Sequence, residues 1–411
     1  MNTQTPLRLT VLAGEFPYPP NHGGRADTWN RIKALRQQGA QLQLICWFSP
    51  LWGGKPLPEH ENVVREYVDD LIVLPIEVGF AALLRRLLLL PIWPSHVSSR
   101  FPSQAIWRTL LPRVERFKPQ GIWQDNLWSG ATACRLERCL RVPRWVRSHN
   151  IEFRYMNRQR QLARGLGERF RLWMTCIGLE RYELANLRSA RCVFDISMDD
   201  LAYWKQRGVS EGKWLPPIVT VPPRNEKVEP TFRLSPGSAL YVGNLHTPNN
   251  VQGLMWLLTE VWPRVRVLNP TAEVTIAGSN PHPDLISAAA SCPGVTIVPN
   301  PAEVWPLYWQ AKVLINPIKA GSGVNIKTIE MLQVGCHLIS TPTGVGGLPQ
   351  SVKELVHLAD TPEAFAQTLD QALRGTLPEA RRPPDVAQMC FRPEAIAGLV
   401  TTLRQQSAPN Q

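Results

Sequence analysis

Short apolar runs rich in β-branched residues alternate with longer amphipathic stretches along most of the chain. The first run is Leu7–Ala13, and the segment Ala26–Gln38 that follows places Trp29, Ile32 and Leu35 at helical spacing. Strands that alternate with helices are typical of a parallel sheet covered by helices on both faces. Four further strands are predicted in this half of the chain: Gln41–Trp47, Gly121–Gln124, Arg144–Ser148 and Arg191–Ile196.

A proline-rich segment, Leu215–Ser238, interrupts this alternation. It contains six prolines and mixed charges, which predicts an interdomain linker. Beyond it the predicted strands are Ser238–Val242, Ala272–Ala277, Gly294–Val298, Lys312–Asn316 and His337–Ser340. The predicted helices are Asn249–Arg264, Pro283–Ser291 and Val324–Val334. The pattern therefore predicts two doubly wound, Rossmann-like α/β domains, residues 1–220 and 221–391, which face each other across a cleft.

Composition narrows the class of protein. Hydrophobic residues make up 44% of the chain and charged residues 19%, which is ordinary for a globular protein and excludes a mostly disordered one. Lysine plus arginine number 45 against 33 acidic residues, which gives a formal net charge of +12. Because this excess is spread along the chain, it favours an anionic ligand or an anionic membrane surface over nucleic acid. A solubilising surface explains it equally.

Several absences bear on the expected compartment. No apolar run reaches the roughly 18–20 residues that a membrane-spanning helix needs, and the first residues lack a signal-peptide pattern. The eight cysteines include no Cys-x-x-Cys pair and no zinc-ligand spacing to a histidine. We therefore expect a cytoplasmic protein with reduced thiols and no metal site.

Two loops in the first half are candidates for chemistry. The loop after the first strand has no Gly-x-Gly-x-x-Gly pattern, but Gly23 and Gly24 stand just before a predicted helix, whose N-terminus attracts a phosphate. An ordinary flexible turn explains this pair equally well. His149 falls at the carboxyl end of a predicted strand, where ligands collect in open α/β sheets. A structural role for His149 stays open, as does a capping role for Asn150 and Glu152.

Glycines mark two loops in the second half. Gly243 ends the first strand of this half, where we expect the backbone to turn tightly beside a ligand. Gly321, Ser322 and Gly323 precede the helix Val324–Val334, so this loop offers free backbone N–H groups to an anion.

Lys327 and Glu330 lie three positions apart on that helix. The lysine can supply a positive charge to a phosphate, and the glutamate can accept hydrogen bonds from a ribose diol. The alternative is a salt bridge between them on a solvated helix face. Their apolar neighbours argue against a solvated face, and we expect the inner side of the helix to consist of Ile326, Ile329, Leu332 and Gln333.

The segment Gly321–Thr341 (GSGVNIKTIEMLQVGCHLIST), with TGVGGLP after it, resembles the donor-binding segment of retaining glycosyltransferases of the family 4 type, which have the GT-B fold. The resemblance extends in the expected order over nearly the whole chain, through EFPYPPNHGGR, RSHNIE, SMDD and YVGNLHTPNNVQGLMWL. It implies an acceptor-side N-terminal domain and a C-terminal domain that binds a nucleotide sugar. It also implies that a C-terminal helix near residues 392–406 packs back on the N-terminal domain.

The resemblance assigns roles residue by residue. Gly23 and Gly24 would pack against the donor diphosphate, and Gly243 would lie near the same group. His149 would contact the transferred sugar and its leaving phosphate. Glu330 matches the second acid of the family's Glu-x7-Glu pattern, which binds the ribose of the nucleotide.

Two departures from the family pattern affect the donor site. Ser322 stands where the family's first acid is expected, which leaves the identity of the donor sugar open. The loop after Gly243 lacks the Arg and Lys of many relatives, so Lys327 would supply the charge at the diphosphate. The implied donor-binding set is completed by Asn244, Val324 and Asn325.

The implied activity is hexosyl transfer from a nucleotide-diphosphate sugar to a lipid-linked or polysaccharide acceptor, with retention, in polysaccharide biosynthesis at the cell envelope. Lys327 and the N–H groups around Gly323 would stabilise the charge that grows on the leaving phosphate. The chain has no Asp-x-Asp motif, so neither a metal nor a cofactor is expected. Two alternatives stay open: a sugar-nucleotide epimerase of the same architecture, and a non-catalytic carbohydrate-binding relative.

The most apolar stretch of the chain, Phe80–Leu90, contains Arg85 and Arg86. It is too short to span a bilayer, but it can lie in the membrane interface as an apolar helix with basic flanks. Together with the net positive charge, this predicts peripheral contact with the anionic inner face of the cell membrane. A core helix is the alternative.

Overall fold

The computed structural model describes residues 6–20, 23–51, 54–163, 165–222, 224, 232–321, 323–378 and 390–407. The chain divides into two compact units. The N-terminal unit comprises Met1–Ile218 and Arg392–Gln411, and the C-terminal unit comprises Val219–Phe391. The boundary at which the chain passes from the N-terminal to the C-terminal unit therefore falls inside the proline-rich segment Leu215–Ser238.

Parallel strands form the sheet of the N-terminal unit. Its strands are β1 (Arg8–Ala13), β2 (Gln41–Phe48), β3 (Asp70–Pro75), β4 (Gly121–Gln124), β5 (Arg144–Ser148), β6 (Cys192–Asp195) and β7 (Gly212–Trp214). Within the described residues they lie in the order β3-β2-β1-β4-β5-β6-β7. Every residue of β4, β5 and β6 is buried, as expected for central strands covered on both faces.

Helices cover this sheet on both sides. They are α1 (Gly23–Gln37), α2 (Pro58–Arg65), α3 (Phe80–Leu89), α4 (Ser95–Ser98), α5 (Gln104–Phe117), α6 (Gly130–Leu140), α7 (Glu152–Leu162), α8 (Leu166–Cys176), α9 (Leu179–Arg188) and α10 (Met198–Gln206). α1 begins three residues earlier than the predicted segment Ala26–Gln38, so Gly23 and Gly24 form its first turn instead of preceding it.

The C-terminal helix, Ile396–Ser407, completes the core of the N-terminal unit. It buries Ile396, Leu399, Val400 and Leu403 in the same apolar cluster as β1, β2 and α1. The buried Trp145 of β5 also donates a hydrogen bond from Nε1 to Gln406 Oε1 at 2.6 Å.

The C-terminal unit contains a second parallel sheet. Its strands are β8 (Ala239–Asn244), β9 (Val274–Ser279), β10 (Val295–Pro299), β11 (Val313–Asn316), β12 (His337–Ser340) and β13 (His357–Leu358). Among the described residues their order is β10-β9-β8-β11-β12-β13. The helices are α11 (Pro248–Trp256), α12 (Trp262–Leu268), α13 (Pro283–Ala290), α14 (Trp305–Gln310), α15 (Ile326–Val334), α16 (Gln350–Lys353) and α17 (Pro362–Arg374). The prediction of two parallel-sheet α/β domains is confirmed.

The predicted helix Asn249–Arg264 is not continuous. A π-helical turn, Leu257–Val261, separates α11 from α12. Pro263 stands at the start of α12 and has no backbone N–H, so the regular i to i−4 hydrogen bond is lost there.

Helix α3 is a surface helix, which excludes the core-helix alternative. None of its residues is buried, and Phe80 and Leu88 are 81% and 71% exposed. The two arginines are turned toward the protein: Arg85 pairs with Glu77 at 2.8 Å, and Arg86 donates to the Glu77 carbonyl. Arg85 and Arg86, which were expected to contact a membrane, thus form contacts within the protein. In the described part of the chain, no helix is long and apolar enough to cross a bilayer.

Candidate functional site

A cluster of buried charges lies at the carboxyl end of β5. Asp27, on α1, pairs with Arg31 Nη2 at 2.8 Å and with Arg147 Nε at 3.1 Å, and all three side chains are buried. His149 follows β5 and places Nδ1 3.8 Å from Asp27 Oδ2. The helix and the strand thus meet at one carboxylate, which lies close to His149.

The protonation of this cluster follows from burial and from the arginines. Burial opposes ionisation of Asp27, but the charges of Arg147 and Arg31 outweigh it and hold the pKa of Asp27 well below its ordinary value. Burial lowers the pKa of His149, although Asp27 acts in the opposite direction. The imidazole is therefore neutral near pH 7.

His149 faces a cavity of about 260 Å³ in the N-terminal unit. Its Nε2 atom is buried and has no hydrogen-bond partner among the described residues. Gly24, in the first turn of α1, lines the same cavity, which also includes Thr28, Asp125, Asn126, Trp128, Glu152 and Tyr155. The structure thus brings His149 and Gly24 together around one space.

The cap of the helix after His149 differs from the expectation. Neither Asn150 nor Glu152 caps α7, since its N-cap residue is Ile151, without a capping side chain. Glu183 of α9 instead accepts the N–H groups of Glu152 and Phe153 at 2.9 and 3.1 Å. Glu152 is left with a buried Oε2 that has no hydrogen-bond partner within the described residues. Burial raises the pKa of Glu152 to about 7.

In the C-terminal unit, Lys327 lies beside the end of β8. Its Nζ donates hydrogen bonds to the Tyr241 hydroxyl at 2.6 Å and to Asn250 Oδ1 at 2.8 Å. A Cβ atom added to Gly243 would stand 2.9 Å from Nζ and 2.8 Å from the Tyr241 hydroxyl. Gly243 belongs to the strand, so the expectation of a tight turn there is wrong. A side chain at position 243 would therefore displace the lysine ammonium group or the tyrosine hydroxyl.

Lys327 and Glu330 do not form the salt bridge that was the alternative reading. No ion pair joins them in the described part of the chain, and both hydrogen-bond partners of Lys327 are neutral. Burial lowers the pKa of Lys327 to about 7, and Glu330 offsets only part of that shift. Burial likewise raises the pKa of Glu330, while Lys327 lowers it. A group that brings negative charge to Lys327 would restore its full ionisation.

The glycine-rich loop leads directly into this helix. Ser322 lies outside the described residues. Gly321 has ample space around it, and Gly323 adopts φ 71°, a left-handed conformation that favours glycine. Val324 is half-buried, and Asn325 is the N-cap residue of α15 without a side-chain cap. The helix thus begins at Ile326, two residues later than predicted.

The inner face of α15 also differs from the expectation. Thr328, Ile329 and Met331 are buried, whereas the expected Ile326, Leu332 and Gln333 are only half-buried. Thr328 lies on the buried face of α15. Its hydroxyl accepts a hydrogen bond from the Asn316 amide at 2.9 Å and donates one to the Gly344 carbonyl at 2.5 Å.

Asn244 organises the loop between β8 and α11. Its Oδ1 accepts the backbone N–H groups of His246 and Thr247 at 2.9 and 3.2 Å, and its carbonyl accepts from the Asn250 amide at 2.8 Å. Asn250 therefore joins this loop to Lys327. Sequence reasoning missed Tyr241 and Asn250 as partners of the lysine, although both stand in the segment YVGNLHTPNN that carried the resemblance.

Comparisons with known proteins bear on the family and the fold. Residues 236–375, most of the C-terminal unit, match the family described as Glycosyl transferases group 1. The chain is 24% identical over 374 residues to an uncharacterized 44.6 kDa protein in the cps region of Klebsiella pneumoniae, with 88% of this chain and 89% of that protein covered.

Two solved structures share the fold. Alr3699/HepE from Anabaena, in complex with UDP, has a TM-score of 0.55 at 12% identity, covering 97% of this chain and 98% of that one. The apo form of the lipopolysaccharide outer core galactosyltransferase WaaB has a TM-score of 0.56 at 12% identity, covering 96% of this chain and 100% of that one. The predicted GT-B fold is confirmed. Together with the family match, these similarities support a glycosyltransferase.

Proposed function

We propose that the protein transfers a sugar from a nucleotide-diphosphate sugar to a lipid-linked or polysaccharide acceptor, with retention and without a metal or cofactor. The observation that supports this most directly is the half-buried Lys327 beside Gly243, which has only neutral hydrogen-bond partners. A partly buried lysine that forms no ion pair favours a bound anion. Both residues lie inside the region that matches the glycosyltransferase family.

The proposed chemistry places a diphosphate next to Lys327. The bond between the anomeric carbon and the phosphate oxygen breaks, and negative charge grows on the leaving diphosphate. Lys327 and the backbone N–H groups around Gly323, already in place before the reaction, stabilise that charge. Glu330 accepts the ribose hydroxyls, while Gly321, Ser322, Val324 and Asn325 surround the donor.

Retention requires the acceptor to attack the face from which the diphosphate departs. The acceptor hydroxyl forms the new bond to the anomeric carbon, and its proton passes to the leaving phosphate. His149, neutral near pH 7, offers Nε2 to the transferred sugar or its phosphate. Gly23 and Gly24 present the free N–H groups of the first turn of α1 to the diphosphate.

The names of the similar proteins support a more specific donor and acceptor. HepE was crystallised with UDP, WaaB is a lipopolysaccharide galactosyltransferase, and the Klebsiella relative lies in a cps region. We propose a uridine-diphosphate sugar as donor and a glycan of the cell envelope as acceptor. We also propose peripheral binding to the inner face of the membrane, through the exposed leucines of α3 and not through its arginines.

Incubation with a panel of nucleotide sugars and no acceptor tests the activity. We expect slow release of free nucleotide diphosphate from at least one donor, unchanged by EDTA. Lys327→Met should abolish the release, whereas Lys312→Met, at an exposed lysine of the same unit, should not. Epimerised sugar would instead identify an epimerase. The absence of turnover with every donor would identify a non-catalytic carbohydrate-binding relative.

Vesicle co-sedimentation tests the membrane contact. The parent should sediment with anionic vesicles, and Leu88→Ser should reduce the bound fraction because Leu88 is 71% exposed. A parent that ignores anionic vesicles at low salt would contradict peripheral binding.

A further inference from the structure

A groove in the N-terminal unit lies apart from the cavity at His149. It has a volume of about 810 Å³ and runs between α6 and α9, with the segment Leu90–Pro94 as its third wall. None of the roles assigned above uses this groove.

Two walls of the groove, α6 and α9, carry positive charge. Arg135 and Arg138 of α6 and Arg181 of α9 line the groove, and its described lining includes no aspartate or glutamate. No carboxylate pairs with any of these arginines in the described part of the chain. Arg135 is held in place by stacking, with its guanidinium carbon 3.9 Å from the centre of the Trp107 ring. Arg138 and Arg181 are exposed and Arg135 is half-buried, so all three guanidinium groups are accessible from the groove and can bind a phosphate.

The third wall is apolar and continues onto exposed apolar helices. Leu90, Ile92 and Trp93 line the groove, and Ile92 is 65% exposed. This wall directly follows α3, and Ile177 on another wall directly follows α8. Both helices expose large apolar side chains: Phe80, Leu83, Leu84, Leu87 and Leu88 on α3, and Leu166, Phe170 and Trp173 on α8.

The groove also adjoins the cavity at His149. Asn126 and Trp128 line that cavity, and Ala131, in the first turn of α6, lines the groove. Tyr182 of the groove donates a hydrogen bond to the carbonyl of Leu127, in the short turn just before α6, at 3.5 Å. One short segment, 126–131, therefore separates the two spaces.

We propose that this groove binds the phosphate-bearing end of a lipid, with the phosphate on Arg135, Arg138 and Arg181 and the hydrocarbon chain along Leu90–Trp93. The idea that this lipid anchors the acceptor rests on the function proposed above. The idea that the groove binds a lipid phosphate does not depend on that function. Positive charge on two walls and apolar side chains on the third match a molecule that is anionic at one end and apolar at the other. A free nucleotide sugar would leave the apolar wall exposed to water.

Calorimetry on the full-length protein tests the site with geranylgeranyl phosphate, geranylgeraniol and inorganic phosphate. We expect the lipid phosphate to bind at least tenfold more tightly than either of the others, and added salt to weaken it. The double variant Arg138→Gln/Arg181→Gln should lose at least tenfold. The matched control Arg108→Gln/Arg116→Gln, at exposed arginines of α5, should stay within twofold of the parent. A Trp93→Ser variant should weaken both lipids and leave inorganic phosphate unchanged.

Three outcomes would overturn the proposal. They are equal affinity for the lipid phosphate and its alcohol, equal losses in the groove and control variants, or no binding of geranylgeranyl phosphate by the parent. The last would assign the groove to another occupant, such as an amphipathic peptide. Titration of the parent with UDP separates this failure from failure of the proposed function. Binding of UDP without the lipid refutes only the groove, and binding of the lipid without UDP refutes only the donor site.

Discussion

The two candidate sites differ in whether their charged side chains form ion pairs within the protein. In the N-terminal unit, Asp27 forms ion pairs with both Arg31 and Arg147, and His149 Nδ1 lies 3.8 Å from the same carboxylate. In the C-terminal unit, Lys327 is held by a tyrosine hydroxyl and an amide, with no ion pair to Glu330. Ion pairs between protein side chains stabilise a geometry, whereas a lysine without an ion pair favours a charged ligand. The comparison distinguishes residues that stabilise the fold around a site, such as Asp27, from residues proposed to bind the substrate, such as Lys327.

The largest effect is expected from Asp27→Asn. The substitution leaves two buried arginines without their carboxylate, which costs about 3–5 kcal/mol in the free energy of unfolding. Urea denaturation at pH 7 measures it. The control Asp360→Asn removes an exposed partner of Lys319 and should cost less than about 1 kcal/mol. Equal losses in the two variants would show that the Asp27 ion pairs do not stabilise the fold.

Lys327→Met should lower the rate of donor turnover and leave the fold intact. Loss of a charge directed at the leaving phosphate raises the barrier by about 2–4 kcal/mol, measured at saturating donor. Burial holds the pKa of Lys327 near 7, below the value of the unfolded chain, so its charged form destabilises the native state at lower pH. The variant should therefore melt no lower than the parent. Activity within threefold of the parent would remove Lys327 from the mechanism.

Glu330→Ala should weaken UDP binding by about 1–3 kcal/mol, because the ribose loses a buried acceptor. The sharper measurement pairs this variant with 2′-deoxy-UDP in a double-mutant cycle. The parent should prefer UDP, and the variant should bind both ligands alike. Glu303→Ala, at an exposed position of the same unit, serves as the control.

The smallest expected effect is a dependence of UDP affinity on pH. Free Lys327 has a pKa of about 7, and the diphosphate should raise it, so binding above pH 7 takes up a proton. Affinity should then fall as pH rises from 7, by at most about tenfold per unit. Calorimetry at pH 8 in buffers of different ionisation enthalpy detects the uptake. Lys327→Met should abolish it, and a parent that takes up no proton would mean that the lysine is already charged in the empty site.

The sequence predicted the two parallel sheets because buried central strands are continuous apolar runs, such as Val313–Asn316. It also placed His149 at a strand end. It could not predict why Gly243 is a glycine, since the crowding atoms come from Tyr241 and from Lys327, 84 positions away. The Asp27–Arg147 pair joins residues 120 apart and leaves no periodic signal. Periodicity shows which face of an element is buried, but not which polar groups meet at its end.

The C-terminal helix Ile396–Ser407 has a consequence for synthesis of the chain. As the ribosome releases the polypeptide from its N-terminus, domains generally fold in order. Here the first unit lacks Ile396, Leu399, Val400 and Leu403 until the second has been translated. The N-terminal unit is therefore translated first, but its hydrophobic core is completed last. A nascent chain halted after residue 218 should remain sensitive to protease, whereas supplying the helix in trans should protect it.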